Sequence, residues 1–234
     1  MKNHKKYFTL FELLLVVTVL FLGSSLFGFF ISKAKRDAKA AVCAKNLFAM
    51  GKATNQYAND HKGLLPYAGV GHNNWKLQIA PYLGIKNPTL KEDAKKFAIF
   101  HCPSDNNKLP TYMAKDPFYL GKISYTANLF AIDANFNDLN NDSFISTRKL
   151  TSIDGPDTVI LYAENHAKNN SIGSNLSVNW NRKGAFEYPQ AAQKGYHQGR
   201  NNYLLLDGGV EFYTYRDTNY PEDLWLLKYG TTDL

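Results

Sequence analysis

Residues 8–31 read FTLFELLLVVTVLFLGSSLFGFFI, an apolar run whose single charged side chain is Glu12. As a helix rising about 1.5 Å per residue, this run would be roughly 36 Å long, which exceeds the ~30 Å hydrocarbon core of a bilayer. A carboxylate at the membrane centre costs about 2.5–3.5 kcal/mol, so Glu12 needs a positive partner or a function. We therefore predict a transmembrane helix over residues 8–31. An uncleaved signal anchor is the alternative interpretation.

The apolar run and its basic flank together resemble a known signature. The sequence KKYFTLFELLLVV, residues 5–17, is similar to the N-terminal motif of type IV prepilins and type II secretion pseudopilins. In that family a prepilin peptidase removes a short basic leader before a Phe and methylates the new N-terminus, and the fifth mature residue is Glu. The resemblance implies cleavage between Tyr7 and Phe8, although Gly is the usual residue at the position of Tyr7. It places Glu12 at the fifth mature position.

The resemblance also implies a role for Glu12 and an orientation for the chain. In assembled filaments of this family, the Glu carboxylate is thought to neutralise the terminal amine of a neighbouring subunit, which would supply the missing positive partner. Lysines stand on both sides of the apolar run, so counting positive charges does not decide the orientation. By resemblance, the N-terminus is cytoplasmic, the chain crosses the inner (cytoplasmic) membrane once, and the head is periplasmic or otherwise extracytoplasmic.

Beyond residue 31 the sequence becomes rich in Ala and Lys and lacks proline, which predicts that the same helix continues as an amphipathic half over residues 32–62. A stripe at helical spacing should pack against the head: Cys43, Leu47, Met50, Thr54 and Tyr57. Residues 1–7 would then be the basic leader. Residues 63–234 would form one globular head, because a chain of 234 residues leaves room for a single core outside the membrane.

Strand patterns dominate the predicted head. Candidate strands cover residues 122–130 and 158–163, and NYLLLDGGVEFYTY at 202–215 predicts a hairpin about a tight turn at residues 207–209. Brief helices are predicted at 74–82 and 89–97, and a last helix should begin at Pro221. The expected fold is α+β and pilin-like, with a long N-terminal transmembrane and amphipathic helix and a C-terminal head built on an antiparallel β-sheet.

The chain has two cysteines, Cys43 and Cys102. The extracytoplasmic location implied by the resemblance is oxidising, and there an even number of cysteines permits a disulfide. Two buried thiols are the alternative. Neither Cys has a second Cys at metal-ligand spacing, so the sequence does not predict a thiolate zinc site.

A second motif lies near the C-terminus, where His197 stands nine residues before Asp207 and Gly208 in HQGRNNYLLLDGG. This segment resembles the C-terminal signature of a large bacterial subfamily of pseudopilin-like proteins. The segments CAKNLF from Cys43 and CPSD from Cys102 are also similar to that subfamily. Together they extend the resemblance over most of the chain.

One group of polar residues is a candidate for chemistry. Glu164 and His166 end a predicted strand on one face, while His197 and Asp207 flank a neighbouring strand. These four side chains could ligate zinc or act as acid and base. The alternative is that the His and the Asp hydrogen-bond turn backbone.

A loop with alternating oxygen side chains is a candidate for calcium. Asp133, Asn135 and Asn137 have the residue types of a calcium loop, but Asp138 stands where an EF-type loop needs Gly and Phe144 where it needs Glu. Calcium is therefore an alternative to a solvated loop, and no other cofactor is predicted.

Composition and motifs together narrow the function. The net charge is +7, but Lys and Arg are scattered without interleaved aromatics, which argues against nucleic acid as a partner. No nucleophile motif, HExxH or phosphate loop is present, so we do not expect an enzyme. We expect a pilin-like structural subunit of a type II secretion pseudopilus or type IV pilus-like filament, with prepilin peptidase/N-methyltransferase and other pilin-like subunits as partners. The alternative is a single-pass anchored surface or periplasmic protein whose head binds a ligand or metal.

Overall fold

The computed structural model of the protein describes residues 9–66, 75–86, 95–107, 123–128, 148–166, 195–218 and 224, without the side chains of residues 24–29. Several predicted features lie outside these residues: the cleavage site at Tyr7 and Phe8, the calcium candidates Asp133, Asn135 and Asn137, and all of the last predicted helix but Leu224. The chain divides into two compact units, Met1–Ala38 and Lys39–Leu234. The finer domain boundaries stay predictions.

One long helix, α1, spans Leu10–Asp60. It contains no proline and is rich in Leu, Ala and Lys, which favour helix. In the first unit the described large apolar side chains of α1 are exposed, from 42% at Val17 to 84% at Leu10. Within the described part of the chain, no helix combines the length and the apolar character that a membrane crossing requires. The long N-terminal helix is thus confirmed, while its transmembrane half stays a prediction.

In the second unit, α1 presents the predicted stripe to the core. Five stripe residues are buried: Cys43, Leu47, Met50, Thr54 and Tyr57. Gly51 is also buried, and a Cβ there would lie 3.0 Å from Leu204 Cδ1, so the glycine lets the helix approach the sheet closely. The helix is followed by Lys62 and Gly63 with φ angles of 57° and 83°, and the Gly63 N–H donates to the Ala58 carbonyl at 2.7 Å. Such a left-handed glycine is a common way for a helix to end.

The head contains a four-stranded sheet. Its strands are β1 (Tyr125–Ala127), β2 (Ile160–Glu164), β3 (Asn201–Leu205) and β4 (Val210–Tyr213). Neighbours pair antiparallel in the order β1-β2-β3-β4, and β3 and β4 form the predicted hairpin. Gly208 in its turn has a φ of 95°, which a residue with a side chain rarely adopts. The α+β class and the antiparallel sheet are therefore confirmed.

Short helices connect these elements. The described ones are α2 (Trp75–Ile79) and 3-10 turns at Ala80–Leu83, Lys96–Phe100, Leu150–Ser152, Pro156–Thr158 and Arg216–Thr218. The first two cover the helix predicted at 74–82. Residues 89–94 of the helix predicted at 89–97 lie outside the described residues, and its last two residues begin the 3-10 turn Lys96–Phe100. In a 3-10 helix, residues three apart lie on one side, so Phe97 and Phe100 both reach the core.

Two apolar clusters contact the sheet. On the side toward α1, the Tyr162 and Thr54 hydroxyls share a buried hydrogen bond of 2.9 Å. The Trp75 ring stacks on Tyr162 with centroids 4.5 Å apart. The second cluster is smaller: Ile160, Ala163, Tyr203 and Leu205 are buried, with Leu224 packed against them. The larger cluster fixes α1 against β2 and β3, where the polar residues of the candidate site are found.

Candidate functional site

A disulfide bond joins Cys43 in α1 to Cys102, the second residue after the 3-10 turn Lys96–Phe100. Their Cα atoms are 5.3 Å apart, and neither residue is exposed to solvent. This separation lies in the usual range for bridged cysteines of about 4.4–6.8 Å. The predicted pairing is confirmed, and the alternative of two buried thiols is wrong.

Next to the disulfide, Glu164 at the end of β2 meets His197. His197 Nε2 lies 2.9 Å from Glu164 Oε1, and both side chains are at most 1% exposed. A buried carboxylate is costly unless its oxygens are hydrogen-bonded. Here the Asn202 N–H donates to Oε2 at 2.8 Å, and the Asn202 side-chain amide donates to Oε1 at 3.2 Å. Glu164 is therefore held by fixed donors from β3 and from His197.

A tight turn holds His197 in this position. The His197 N–H donates to the Arg200 carbonyl at 3.0 Å, and the Arg200 N–H donates back to the His197 carbonyl at 3.2 Å. The two residues between them, Gln198 and Gly199, have φ angles of 59° and 87°. Positive φ at both central residues is typical of the two-residue turns that suit antiparallel strands. The turn leads directly into β3, which carries Asn202.

The segment around Cys102 completes the surroundings of the imidazole. Cys102 Sγ lies 3.5 Å from His197 Nε2, and Ser104 Oγ lies 3.4 Å from His197 Nδ1. Asp105, the residue after Ser104, accepts a hydrogen bond of 2.8 Å from the Ser124 hydroxyl. The CPSD segment and the HQGR segment, which the sequence analysis treated as separate motifs, therefore form one site.

Asp207 does not belong to this cluster, which corrects the predicted group of Glu164, His166, His197 and Asp207. It follows β3, whereas His197 precedes that strand, and its side chain is exposed. Asp207 Oδ1 accepts the Gly209 N–H at 2.8 Å, so its observed role is to stabilise the hairpin turn. The alternative interpretation, a side chain that hydrogen-bonds turn backbone, is thus right for Asp207. It is wrong for His197, whose ring contacts Glu164 instead.

The remaining member, His166, lies beside the cluster. Its ring stacks on Tyr196 with centroids 3.6 Å apart, and its centroid is 6.4 Å from that of His197. Burial raises the pKa of Tyr196 to about 12. Burial also raises the pKa of Tyr125 above its usual value, and the Glu164 carboxylate adds to that rise. Near neutral pH both phenols therefore keep their protons.

The site brings together atoms that bind metals. Among the described residues, the ligand atoms of Cys43, Cys102, Glu164 and His197 all lie within 4.8 Å of one another, and all four residues are buried. While the two sulfurs are bonded to each other they are neutral. Glu164 and His197 then form a buried hydrogen-bonded pair. In this state the arrangement is suited to holding the sheet, α1 and the Cys102 segment together.

At the other end of the chain, Glu12 takes part in a capping box. Glu12 Oε2 accepts hydrogen bonds of 2.9 Å from both the N–H and the hydroxyl of Thr9, and the Glu12 N–H donates to Thr9 Oγ1 at 3.2 Å. This is the reciprocal pattern of a Ser/Thr-x-x-Glu helix start. The Thr-Leu-Phe-Glu spacing is the usual sequence signal of a capping box, and it is present at residues 9–12. The assembly role of Glu12 stays a prediction.

No family model, curated protein or solved structure matches this chain. A functional assignment therefore depends on the residues and their geometry.

Proposed function

We propose that this protein is a pilin-like structural subunit of a type II secretion pseudopilus or type IV pilus-like filament. In this proposal the first half of α1 is held in the cytoplasmic membrane, the N-terminus is cytoplasmic and the head is extracytoplasmic. The protein is not an enzyme but a substrate of the prepilin peptidase/N-methyltransferase. Its other partners are further pilin-like subunits, which contact it through α1.

The observation that carries the proposal is the contrast between the two parts of α1. Every described large hydrophobic side chain from Leu10 to Leu22 is exposed, by 42% or more. Burying apolar surface is favourable by about 25 cal/mol per Å², so a continuous exposed stretch of this kind favours a lipid or helical partner. From Cys43 onward, by contrast, the helix packs in an α+β head. A subunit anchored and assembled through one long helix needs both surfaces.

Glu12 offers the sharpest test, because its capping role and its proposed assembly role can be separated. Gln also fits the capping box, so Glu12→Gln removes the charge while keeping the helix start. Thr9→Ala does the converse, because it removes the hydroxyl and leaves the carboxylate. Breaking a buried ion pair by removing one partner costs about 3–5 kcal/mol, which is a loss of more than about 100-fold in subunit association.

The experiment crosslinks subunits through their lysines in membranes of cells that produce each variant, without introducing new cysteines. Membrane insertion is measured in the same samples. Glu12→Gln should insert like the wild type but lose crosslinked oligomers, whereas Thr9→Ala should keep them. N-terminal mass spectrometry of the wild type should show a methylated Phe8. Wild-type levels of oligomer for Glu12→Gln would refute the filament proposal, and an intact Met1 would refute processing.

A further inference from the structure

Four potential metal ligands converge from four separate segments of the head. Cys43 comes from α1, Cys102 from the segment after Lys96–Phe100, Glu164 from the end of β2 and His197 from the turn before β3. One ligand atom from each lies within 4.8 Å of the other three, and all four residues are buried. A disulfide needs neither a carboxylate nor an imidazole beside it, so the presence of both requires a separate explanation.

The surrounding hydrogen bonds are those that a metal site needs. Ligating His residues usually use their second ring nitrogen in a hydrogen bond, and ligating carboxylates are themselves hydrogen-bonded. Here Ser104 Oγ contacts His197 Nδ1 at 3.4 Å, and the Asn202 N–H holds Glu164 Oε2 at 2.8 Å. The other two atoms, His197 Nε2 and Glu164 Oε1, face each other at 2.9 Å beside the sulfurs. Glu164 Oε1 also accepts the Asn202 side-chain amide at 3.2 Å, and its second acceptor position, like His197 Nε2, is directed at the volume beside the sulfurs.

We propose that, once the Cys43–Cys102 bond is reduced, the two thiolates, His197 Nε2 and a Glu164 oxygen bind one zinc-class divalent cation. Two sulfurs, one nitrogen and one oxygen form a four-coordinate set that suits Zn²⁺, whereas calcium and magnesium prefer oxygen ligands alone. The proposal concerns the head and is independent of filament assembly.

The dimensions of the cluster fit this coordination. With Zn–S near 2.3 Å and Zn–N near 2.0–2.1 Å, a tetrahedral site separates sulfur from nitrogen by about 3.6 Å. Cys102 Sγ and His197 Nε2 are 3.5 Å apart in the disulfide form. The imidazole therefore already stands at ligand distance from the Cys102 sulfur. Metal binding requires the two sulfurs to part to about 3.8 Å and His197 Nε2 and Glu164 Oε1 to move from 2.9 Å to about 3.4 Å.

The conversion requires a two-electron reductant. A dithiol serves, because it becomes a disulfide as it gives two electrons and two protons to the Cys43–Cys102 bond. The two resulting thiols lose their protons to solvent when their sulfurs bind the metal. In the disulfide form, the N–H at His197 Nε2 donates a hydrogen bond to Glu164 Oε1. On metal binding that proton leaves Nε2, and the neutral ring carries its proton on Nδ1, which donates to Ser104 Oγ. Oxidation by a disulfide reverses the exchange and releases the ion.

The full chain in mild detergent provides the test. One half of the protein sample is reduced with a phosphine, freed of the reductant under nitrogen and titrated with Co²⁺. The affinity for Zn²⁺ is then measured by competition with a chromophoric chelator. The reduced chain should bind one ion, with thiolate charge-transfer bands and the visible absorption of tetrahedral cobalt. The oxidised chain should bind at least 100-fold more weakly. Bound zinc should also slow alkylation of both thiols at least tenfold.

Variants assign the ligands. His197→Ala and Glu164→Gln should each weaken zinc binding by the reduced chain more than 100-fold, and Ser104→Ala by about 10–100-fold through the orientation of the ring. His101→Ala is the matched control, because His101 adjoins Cys102 but lies outside the cluster, and it should leave the affinity unchanged. Near-UV circular dichroism checks that each variant is folded.

Two results would overturn the proposal. The first is a reduced wild-type chain that binds zinc no more tightly than the oxidised chain, a result that needs no variant. The second is zinc binding by the reduced chain that survives both His197→Ala and Glu164→Gln.

Discussion

Removing the disulfide gives a quantitative test of how the head is stabilised. Replacing both Cys43 and Cys102 by Ala removes the bond without burying a new hydroxyl. The two residues are 59 positions apart, and the chain-entropy relation for a loop of that length gives about 4 kcal/mol at 25 °C. For a unit of this size, that loss corresponds to a fall in melting temperature of about 8–16 °C.

Urea unfolding of the full chain in mild detergent, with a chelator present, measures the effect. Tryptophan fluorescence is a suitable signal because Trp75 is fully buried against Tyr162. With a slope of about 2–3 kcal/mol per M urea, the midpoint should fall by about 1.3–2 M. Reduced wild-type protein is the control and should match the double variant. A loss below about 1 kcal/mol would refute the reasoning, because it would mean that the bond barely restrains the unfolded chain.

Two further predictions concern single buried positions. Gly51→Ala should gain about 1 kcal/mol of helix propensity but lose about 1–3 kcal/mol by crowding Leu204, whose Cδ atoms would lie 3.0 and 3.1 Å from the new Cβ. In a Leu204→Ala background the same substitution should stabilise the head, because the crowded side chain is gone. Urea unfolding of the wild type, both single variants and the double variant measures this, and unfolding free energies that simply add would contradict it. Burial lowers the pKa of Lys76 to about 7, so between pH 7 and 10 the unfolded chain binds more protons and stability should rise by up to about 1.4 kcal/mol per pH unit. Lys76→Met should remove that rise, and a stability difference from wild type that is constant from pH 7 to 9.5 would show that the Lys76 titration is not coupled to folding.

Local patterns in the sequence were enough for much of the fold. The spacing of Cys43, Leu47 and Met50 depends on a helical repeat within a few residues, and α1 buries them as predicted. The β3–β4 hairpin depends on the turn at Asp207 and Gly208, which is also local. Of the helix predicted at 89–97, the structure describes only the end, where a 3-10 turn begins at Lys96 and buries Phe97 and Phe100 on one side.

The candidate site could be predicted only in part. Glu164 and His197 were both named, but their contact joins residues 33 positions apart, and that of Cys102 with His197 spans 95. No spacing rule covers such distances, because the contacts depend on how β2 and β3 pair. For the same reason, the absence of a second Cys near either cysteine said nothing about ligands from other segments. Asp207 was misassigned because flanking a strand does not reveal at which end of it a partner lies.

The covalent link between Cys43 and Cys102 also has a mechanical consequence. A pull on the N-terminal part of α1 reaches Cys43 within a few residues of entering the second unit, and from there it passes through the S–S bond to the Cys102 segment. The chain between the two cysteines, which would extend to about 200 Å, is bypassed and cannot be pulled out while the bond is intact. Tension on the oxidised protein is therefore carried by the junction of α1, the Cys102 segment and the end of β2. After reduction, the chain between the two cysteines can be extended as well.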